Sequence, residues 1–266
     1  RKPVQLSPKG RLVDEFLTMT RQRPDRGAPF TPIAFLLDRA HGWEANPNQP
    51  AYFERDPALN PSVLARNRHA RMLLEWFQVA YHPYGPKDAQ IVTGISPVFL
   101  PGVFGDVFDV LVTAPKRTDI LDNYPVVVLN GEVGLTEEWG QKLADYLDKG
   151  GTLIASADQL SGPGVAALKL PQAGAMAEDA AFQWVPTAKQ VVSQRYRYQP
   201  LKEGDPLIKA TNGDTVAAVY KRGKGRLVYL AIPLGLGIDQ AATPAVALLI
   251  ANVRQGLLPV EVHGEV

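Results

Sequence analysis

Residues 124–158, YPVVVLNGEVGLTEEWGQKLADYLDKGGTLIASAD, decide the fold because they predict a strand, a helix and a second strand in succession. Residues 126–129 form an unbroken apolar run, mostly β-branched, which is typical of a parallel strand buried on both faces. Thr136 is a candidate N-cap for the helix. The apolar side chains of this helix share one face: Trp139, Leu143, Tyr146 and Leu147. A glycine pair ends the helix and residues 152–155 begin a second buried strand, so the pattern favours a right-handed βαβ crossover.

The composition is that of an ordinary globular protein. The 266 residues are 45% hydrophobic and 21% charged, and 28 Lys and Arg oppose 27 Asp and Glu for a net charge of +1. This balance gives no reason to expect nucleic acid or a membrane as a partner. No apolar run approaches the roughly 18 residues of a membrane span. We therefore expect a soluble protein, either cytoplasmic or exported with its leader removed.

The flanking segments divide the chain into three parts. Residues 1–30 are typical of a linker with one short helix at 11–20, residues 31–258 of an α/β domain, and residues 259–266 of a tail. Because residues 1–30 are typical of a linker that enters from an upstream domain, we expect the chain to be a piece of a longer polypeptide. The short helix is expected to bury four apolar side chains, Leu12, Val13, Phe16 and Leu17.

Periodicity predicts the remaining elements of the α/β domain. Strands are predicted at residues 31–38, 107–112 and 191–198, with a hairpin formed by 215–221 and 226–232. Long helices are predicted at 61–81, where Asn60 is a cap and Pro61 takes the first position, and at 243–255. Residues 46–61 and 81–104 are rich in turn formers and predict loops, and residues 162–181 predict a loop with one short helix.

The order of these segments resembles a known family. A long N-terminal helix, VFDVLVTAP, YPVVVLNGE, an amphipathic helix ending in DKGGTLIASAD and a late KRGKGRLVYLAIPLGLG hairpin resemble the class I glutamine amidotransferase-like domain. More narrowly, they resemble the trimerisation domain that follows the catalytic barrel in β-galactosidases of glycoside hydrolase family 42. The resemblance spans roughly residues 30–255. It implies a doubly wound, mostly parallel, flavodoxin-like sheet with helices on both faces and a C-terminal β-hairpin.

The chain departs from this family at the reactive residue. The resemblance implies a nucleophilic Cys on a strand-to-helix elbow, activated by a later His and Glu. Cysteine is absent from the whole sequence, which also excludes disulfides and thiolate metal sites. Ser156 could be imagined as a substitute, but no Gly flanks it and His263 is the only His downstream. Amidotransfer is therefore effectively excluded.

Three predicted strands are followed by acids, namely Asp38, Glu132 and Asp158. Ligands of open α/β sheets bind beyond the carboxyl ends of the strands, so neighbouring strands would bring these carboxylates together. A carboxylate pair is what glycoside hydrolysis requires. Behind Asp38, the side chains that could contact a sugar are His41, Trp43 and Glu44.

Each candidate also has a structural interpretation. An acid at a strand end often caps a helix, forms a turn or pairs with an Arg such as Arg39, and a loop His more often bonds its own loop. Trp43 is as suited to packing as to stacking on a sugar. No HExxH-like spacing indicates a metal site, and no GxGxxG or GxxxxGK(S/T) motif indicates a nucleotide, so no metal or other cofactor is expected.

Two functions remain at this point. The first is a non-catalytic accessory domain of a carbohydrate-active enzyme, whose partners would be an upstream catalytic domain or further copies of the chain, with a possible carbohydrate at one wall. The alternative is a glycoside hydrolase or sugar-binding unit in its own right, acting through Asp38, Glu132 and Asp158.

Overall fold

The fold is known from a computed structural model. The structure describes residues 6–25, 30–39, 108–115 and 118–233, with the single residues 245, 248, 249, 252, 253, 256 and 257. These belong to two compact units, Arg1–Phe30 and Thr31–Val266. The predicted helix at 61–81 and the predicted loops at 46–61 and 81–104 lie outside the described residues.

The first unit contains helix α1 (Pro8–Gln22), which is longer than predicted. Ser7 caps it by accepting a hydrogen bond from the Gly10 amide at 3.1 Å, and Pro8 takes a first-turn position. The prediction that its apolar face is buried was wrong. The four side chains are between 43% and 66% exposed: Leu12, Val13, Phe16 and Leu17. Periodicity indicates which side of a helix can be buried, but a second element must cover that side, and the described part of this unit contains none.

The described part of the second unit is built on strands. They are β1 (Ile33–Leu37), β2 (Phe108–Val112), β3 (Val126–Leu129), β4 (Val133–Gly134), β5 (Thr152–Ser156), β6 (Leu160–Ser161), β7 (Ala177–Trp184), β8 (Lys189–Tyr198), β9 (Asp205–Ala210), β10 (Thr215–Arg222) and β11 (Gly225–Leu230). Helix α2 (Glu137–Lys149) and the 3₁₀ segments Thr118–Asn123, Pro163–Leu168 and Val185–Thr187 accompany them.

Nine of these strands form one sheet in the order β2-β1-β3-β5-β11-β10-β9-β7-β8. Neighbouring strands are parallel from β2 to β11. From β11 to β8 they are antiparallel. The mixed α/β class is thus confirmed, as is the hairpin of β10 and β11. This hairpin is not an appendage, because β11 pairs with β5 and joins the two halves of the sheet.

The core lies on both faces of this sheet. Helix α2 covers one face with Trp139, Leu143 and Leu147, which pack against side chains such as Leu129 and Leu153. On the other face, Ala245, Leu249 and Val253 are helical and pack in the same cluster as β1 and β3. The two clusters follow the strict alternation of side chains along each strand.

Helix α2 begins and ends as its sequence predicts. Thr136 accepts a hydrogen bond from the Trp139 amide at 3.3 Å, and Glu137 and Glu138 occupy the first turn. At the other end Gly150 has a φ of 120°. Gly140, in the middle of the helix, approaches Gly164 so closely that an added Cβ would lie 2.1 Å from the Gly164 carbonyl oxygen.

Candidate functional site

Strands β1, β3 and β5 are consecutive parallel neighbours, so their carboxyl ends meet at one edge of the sheet. This adjacency places Asp38, Glu132 and Asp158 beyond the same edge. The strand order also reverses at β1, since β2 lies on one side of it and β3 on the other. Such a reversal is where open α/β sheets place their ligands.

Asp38 is held by the loop that leads into α2. Its Oδ2 accepts a hydrogen bond from the Gly134 amide at 2.7 Å, and the residue is only 9% exposed. A Cβ on Gly134 would come within 3.1 Å of the same oxygen. The next residue, Arg39, donates its backbone N–H to the Thr113 hydroxyl at 3.1 Å, which ties the end of β1 to the end of β2. Asp38 therefore stabilises the segment that leads into α2.

The other two acids have different surroundings. Glu132 is half-buried, whereas Asp158 is exposed and has a φ of 55°, in the left-handed region. Burial, with the nearby Asp158 carboxylate and Tyr220, raises the pKa of Tyr229 to about 12. The three acids therefore share one edge of the sheet but not one environment.

Gln159 joins two of these strand ends, a role that the sequence pattern did not reveal. It is 1% exposed, its Oε1 accepts from the Ser156 amide at 2.9 Å and its Nε2 donates to the Leu129 carbonyl at 2.7 Å. Ser156 is also 1% exposed, so its hydroxyl is covered. A lone glutamine after a strand has no signal that distinguishes it from a surface residue.

An open cleft of about 530 Å³ lies between the ends of β1 and β2 and the start of α2. Its lining residues are Arg39, Thr113, Pro115, Gly134, Leu135, Thr136, Glu137, Glu138, Trp139, Gly162 and Pro163. Trp139 is nearly buried and donates its Nε1–H to the Ala114 carbonyl at 3.2 Å. None of the three strand-end acids is among the described residues that line the cleft, although Asp38 accepts from the amide of Gly134, which does line it.

The remaining candidates can be placed only in part. His41, Trp43 and Glu44 lie outside the residues that the structure describes. Within the described ranges, no cluster of three or more His, Asp or Glu side chains could hold a metal ion. No helix in those ranges is long and apolar enough to cross a membrane.

Comparison with known proteins gives matches of structure only. A scan against protein-family models finds no match, and a search of curated proteins finds none. Two solved structures of Gan42B, a GH42 β-galactosidase from G. stearothermophilus, match with TM-scores of 0.51 and 0.52 at 13% identity. Each match covers 94% of this chain and 33% of that chain.

Two further matches have lower scores. The β-galactosidase from Marinomonas ef1 matches with a TM-score of 0.48 at 13% identity, over 95% of this chain and 34% of that chain. The exo-β-1,4-mannosidase Op5Man5 from Opitutaceae bacterium strain TAV5 matches at 0.49 and 12%, over 93% and 40%. The chain thus spans about a third of the length of the β-galactosidases that it matches. At such identities the likeness is one of fold.

Proposed function

We propose that this chain is a non-catalytic, amidotransferase-like accessory domain of a β-galactosidase-like glycoside hydrolase. It contacts a neighbouring catalytic domain or further copies of itself, and it forms part of a sugar-binding wall. The observation that carries this proposal is the extent of the fold likeness: 94% of the chain aligns with one third of a GH42 β-galactosidase. The absence of Cys removes the chemistry of an amidotransferase and leaves its scaffold.

The strand order supports the finer, doubly wound and flavodoxin-like arrangement within this proposal. The run β2-β1-β3-β5-β11 reverses at its second strand, as in flavodoxin-like sheets. A doubly wound sheet carries helices on both faces. Helix α2, between β3 and β5, packs on one face, and the helical residues Ala245, Leu249 and Val253, which follow β11, pack on the other.

The alternative is a hydrolase or sugar-binding unit acting through Asp38, Glu132 and Asp158. The position of all three acids beyond the carboxyl ends of neighbouring strands supports this alternative. The environment of Asp38 speaks against it, because a glycosidase carboxylate must reach the substrate, whereas this one is buried against the Gly134 amide. We therefore favour the accessory role.

Hydrolysis by the isolated chain distinguishes the two functions. The 266-residue chain is incubated with p-nitrophenyl β-galactoside, and its mass in solution is measured by analytical ultracentrifugation at micromolar concentration. The accessory role predicts no turnover, together with self-association or association with a co-expressed catalytic domain. A strictly monomeric chain that binds no such domain contradicts it. Turnover that falls in Glu132→Gln but not in the matched control Glu178→Gln, an exposed acid on β7, establishes the alternative.

A further inference from the structure

The open cleft beyond the ends of β1 and β2 has room for a small ligand. Its volume of about 530 Å³ lies within the usual range of ligand pockets, roughly 300–1,000 Å³. The cleft is also at the strand, β1, where the order of the sheet reverses, which is the position at which open α/β sheets bind ligands. The available space and the topology therefore indicate the same place.

Much of the surface that lines the cleft is apolar. Leu135 and Trp139 are buried beneath it, and Pro115 and Pro163 are exposed at its sides. The indole N–H of Trp139 already donates to the Ala114 carbonyl at 3.2 Å, so this side chain offers carbon surface and no spare donor. A ligand in the cleft therefore needs apolar groups that can pack against leucine and proline.

The remaining side chains at the cleft include charges of both signs. Arg39, Glu137 and Glu138 line it and are exposed. Among the described residues, none of these three side chains forms an ion pair or a hydrogen bond. The helix dipole explains two carboxylates in the first turn of α2, but it does not explain an arginine beside them. All three side chains are therefore available to a ligand.

These charges restrict the class of ligand. An anion would meet two carboxylates, and the described residues contain no cluster of three ligating side chains for a metal ion. A neutral ligand with several hydroxyl groups suits both kinds of surface. Its hydroxyl groups can donate to the carboxylates and accept from the guanidinium, while its C–H groups pack on the apolar residues.

We propose that this cleft binds a neutral monosaccharide. Arg39 donates to one sugar hydroxyl, Glu137 and Glu138 accept from others, and Pro115 and Pro163 pack against the C–H groups. This inference rests on the proposed function, which it deepens by assigning the sugar contact to the switch point of the sheet, and it uses only side chains of this chain.

Saturation-transfer NMR of the 266-residue chain with D-galactose tests the site. We expect saturable binding with a Kd of about 1–10 mM, because a small ligand in an open cleft buries little surface. D-galacturonate should bind at least about threefold more weakly, since its carboxylate meets Glu137 and Glu138. The absence of saturable galactose binding up to about 100 mM overturns the proposal. Galacturonate binding as tight as that of galactose overturns the assignment to a neutral ligand.

Two variants with matched controls locate the binding. Arg39→Gln should weaken galactose binding by about three- to tenfold, because a hydrogen bond to a charged group is lost. Glu137→Gln combined with Glu138→Gln should reduce the preference for galactose over galacturonate. The controls Arg195→Gln and Glu203→Gln change exposed residues far along the sheet and should bind like the wild type. Equal galactose binding by the wild type and Arg39→Gln overturns the proposal.

Folding and assembly can be separated from this result. The Arg39 side chain has no bonded partner among the described residues, so Arg39→Gln should keep the melting temperature of the wild type, and the galacturonate comparison needs no variant. A monomeric chain that binds galactose would contradict the accessory role and support the site. A chain that associates but shows no saturable binding would overturn the site and support the accessory role.

Discussion

Replacing Gly140 with alanine is expected to destabilise the fold, although alanine is the better helix former by about 1 kcal/mol. The Cβ would lie 2.1 Å from the carbonyl oxygen of Gly164 and 2.5 Å from its Cα. Backbone atoms cannot rotate away, so α2 and the segment Pro163–Leu168 must separate by more than an ångström. Overpacking of this kind costs about 1–3 kcal/mol. Since the contact is with backbone, we expect the upper part of this range and a net loss of roughly 1–2 kcal/mol.

Urea unfolding followed by circular dichroism measures this loss as a lower midpoint with an unchanged slope. Gln141→Ala on the exposed side of the same helix is the control. It removes only the 2.7 Å bond to Asp145 and should change the free energy of unfolding by less than about 0.5 kcal/mol. Gly164→Ala, whose Cβ would meet the Thr136 carbonyl oxygen at 2.1 Å, should be destabilising for the same reason. A Gly140→Ala chain as stable as the wild type, or more stable, would refute the close packing.

Three further predictions concern the edge of the sheet and its neighbours. Asp38→Ala leaves the Gly134 amide without its acceptor and should cost about 1–3 kcal/mol in urea unfolding, whereas Asp38→Asn should cost less. Thr136→Ala should cost about 1 kcal/mol by loss of the helix cap, and Thr136→Ser should restore it; equal values for both variants would contradict the capping role. The raised pKa of Tyr229, about 12 against about 10 in the unfolded chain, contributes stability that is complete below pH 10 and is lost as the pH rises towards 12. Tyr229→Phe should therefore lose less stability than the wild type between pH 8 and about pH 11, and parallel losses would argue against this contribution.

The central unit could be predicted because its signals are local. A β-branched run, a threonine cap, a one-sided apolar helix and a glycine pair all lie within residues 124–158, and each constrains the backbone next to it. The hairpin of β10 and β11 has the same property. These elements form where the sequence predicts them, within one or two residues.

The sequence contains no comparable local signal for the pairing of strands that are far apart along the chain. The antiparallel extension through β9 and β7 was not predicted, because both strands alternate weakly and follow a segment rich in Gly, Ala and Pro. The role of Asp38 was not predictable either, since its partner Gly134 is 96 positions away. The sequence indicated that an acid follows β1, but only the fold determines which amide it meets.

The position of β11 has a consequence for synthesis on the ribosome. Among the described strands β11 is the last along the chain, yet it lies between β5 and β10, where the parallel and antiparallel parts of the sheet meet. Until residues 225–230 leave the exit tunnel, β5 presents an unpaired, apolar edge that can bind other chains or chaperones. A nascent chain stalled before β11 therefore holds two separate parts of the sheet. The addition of β11 joins them into one sheet.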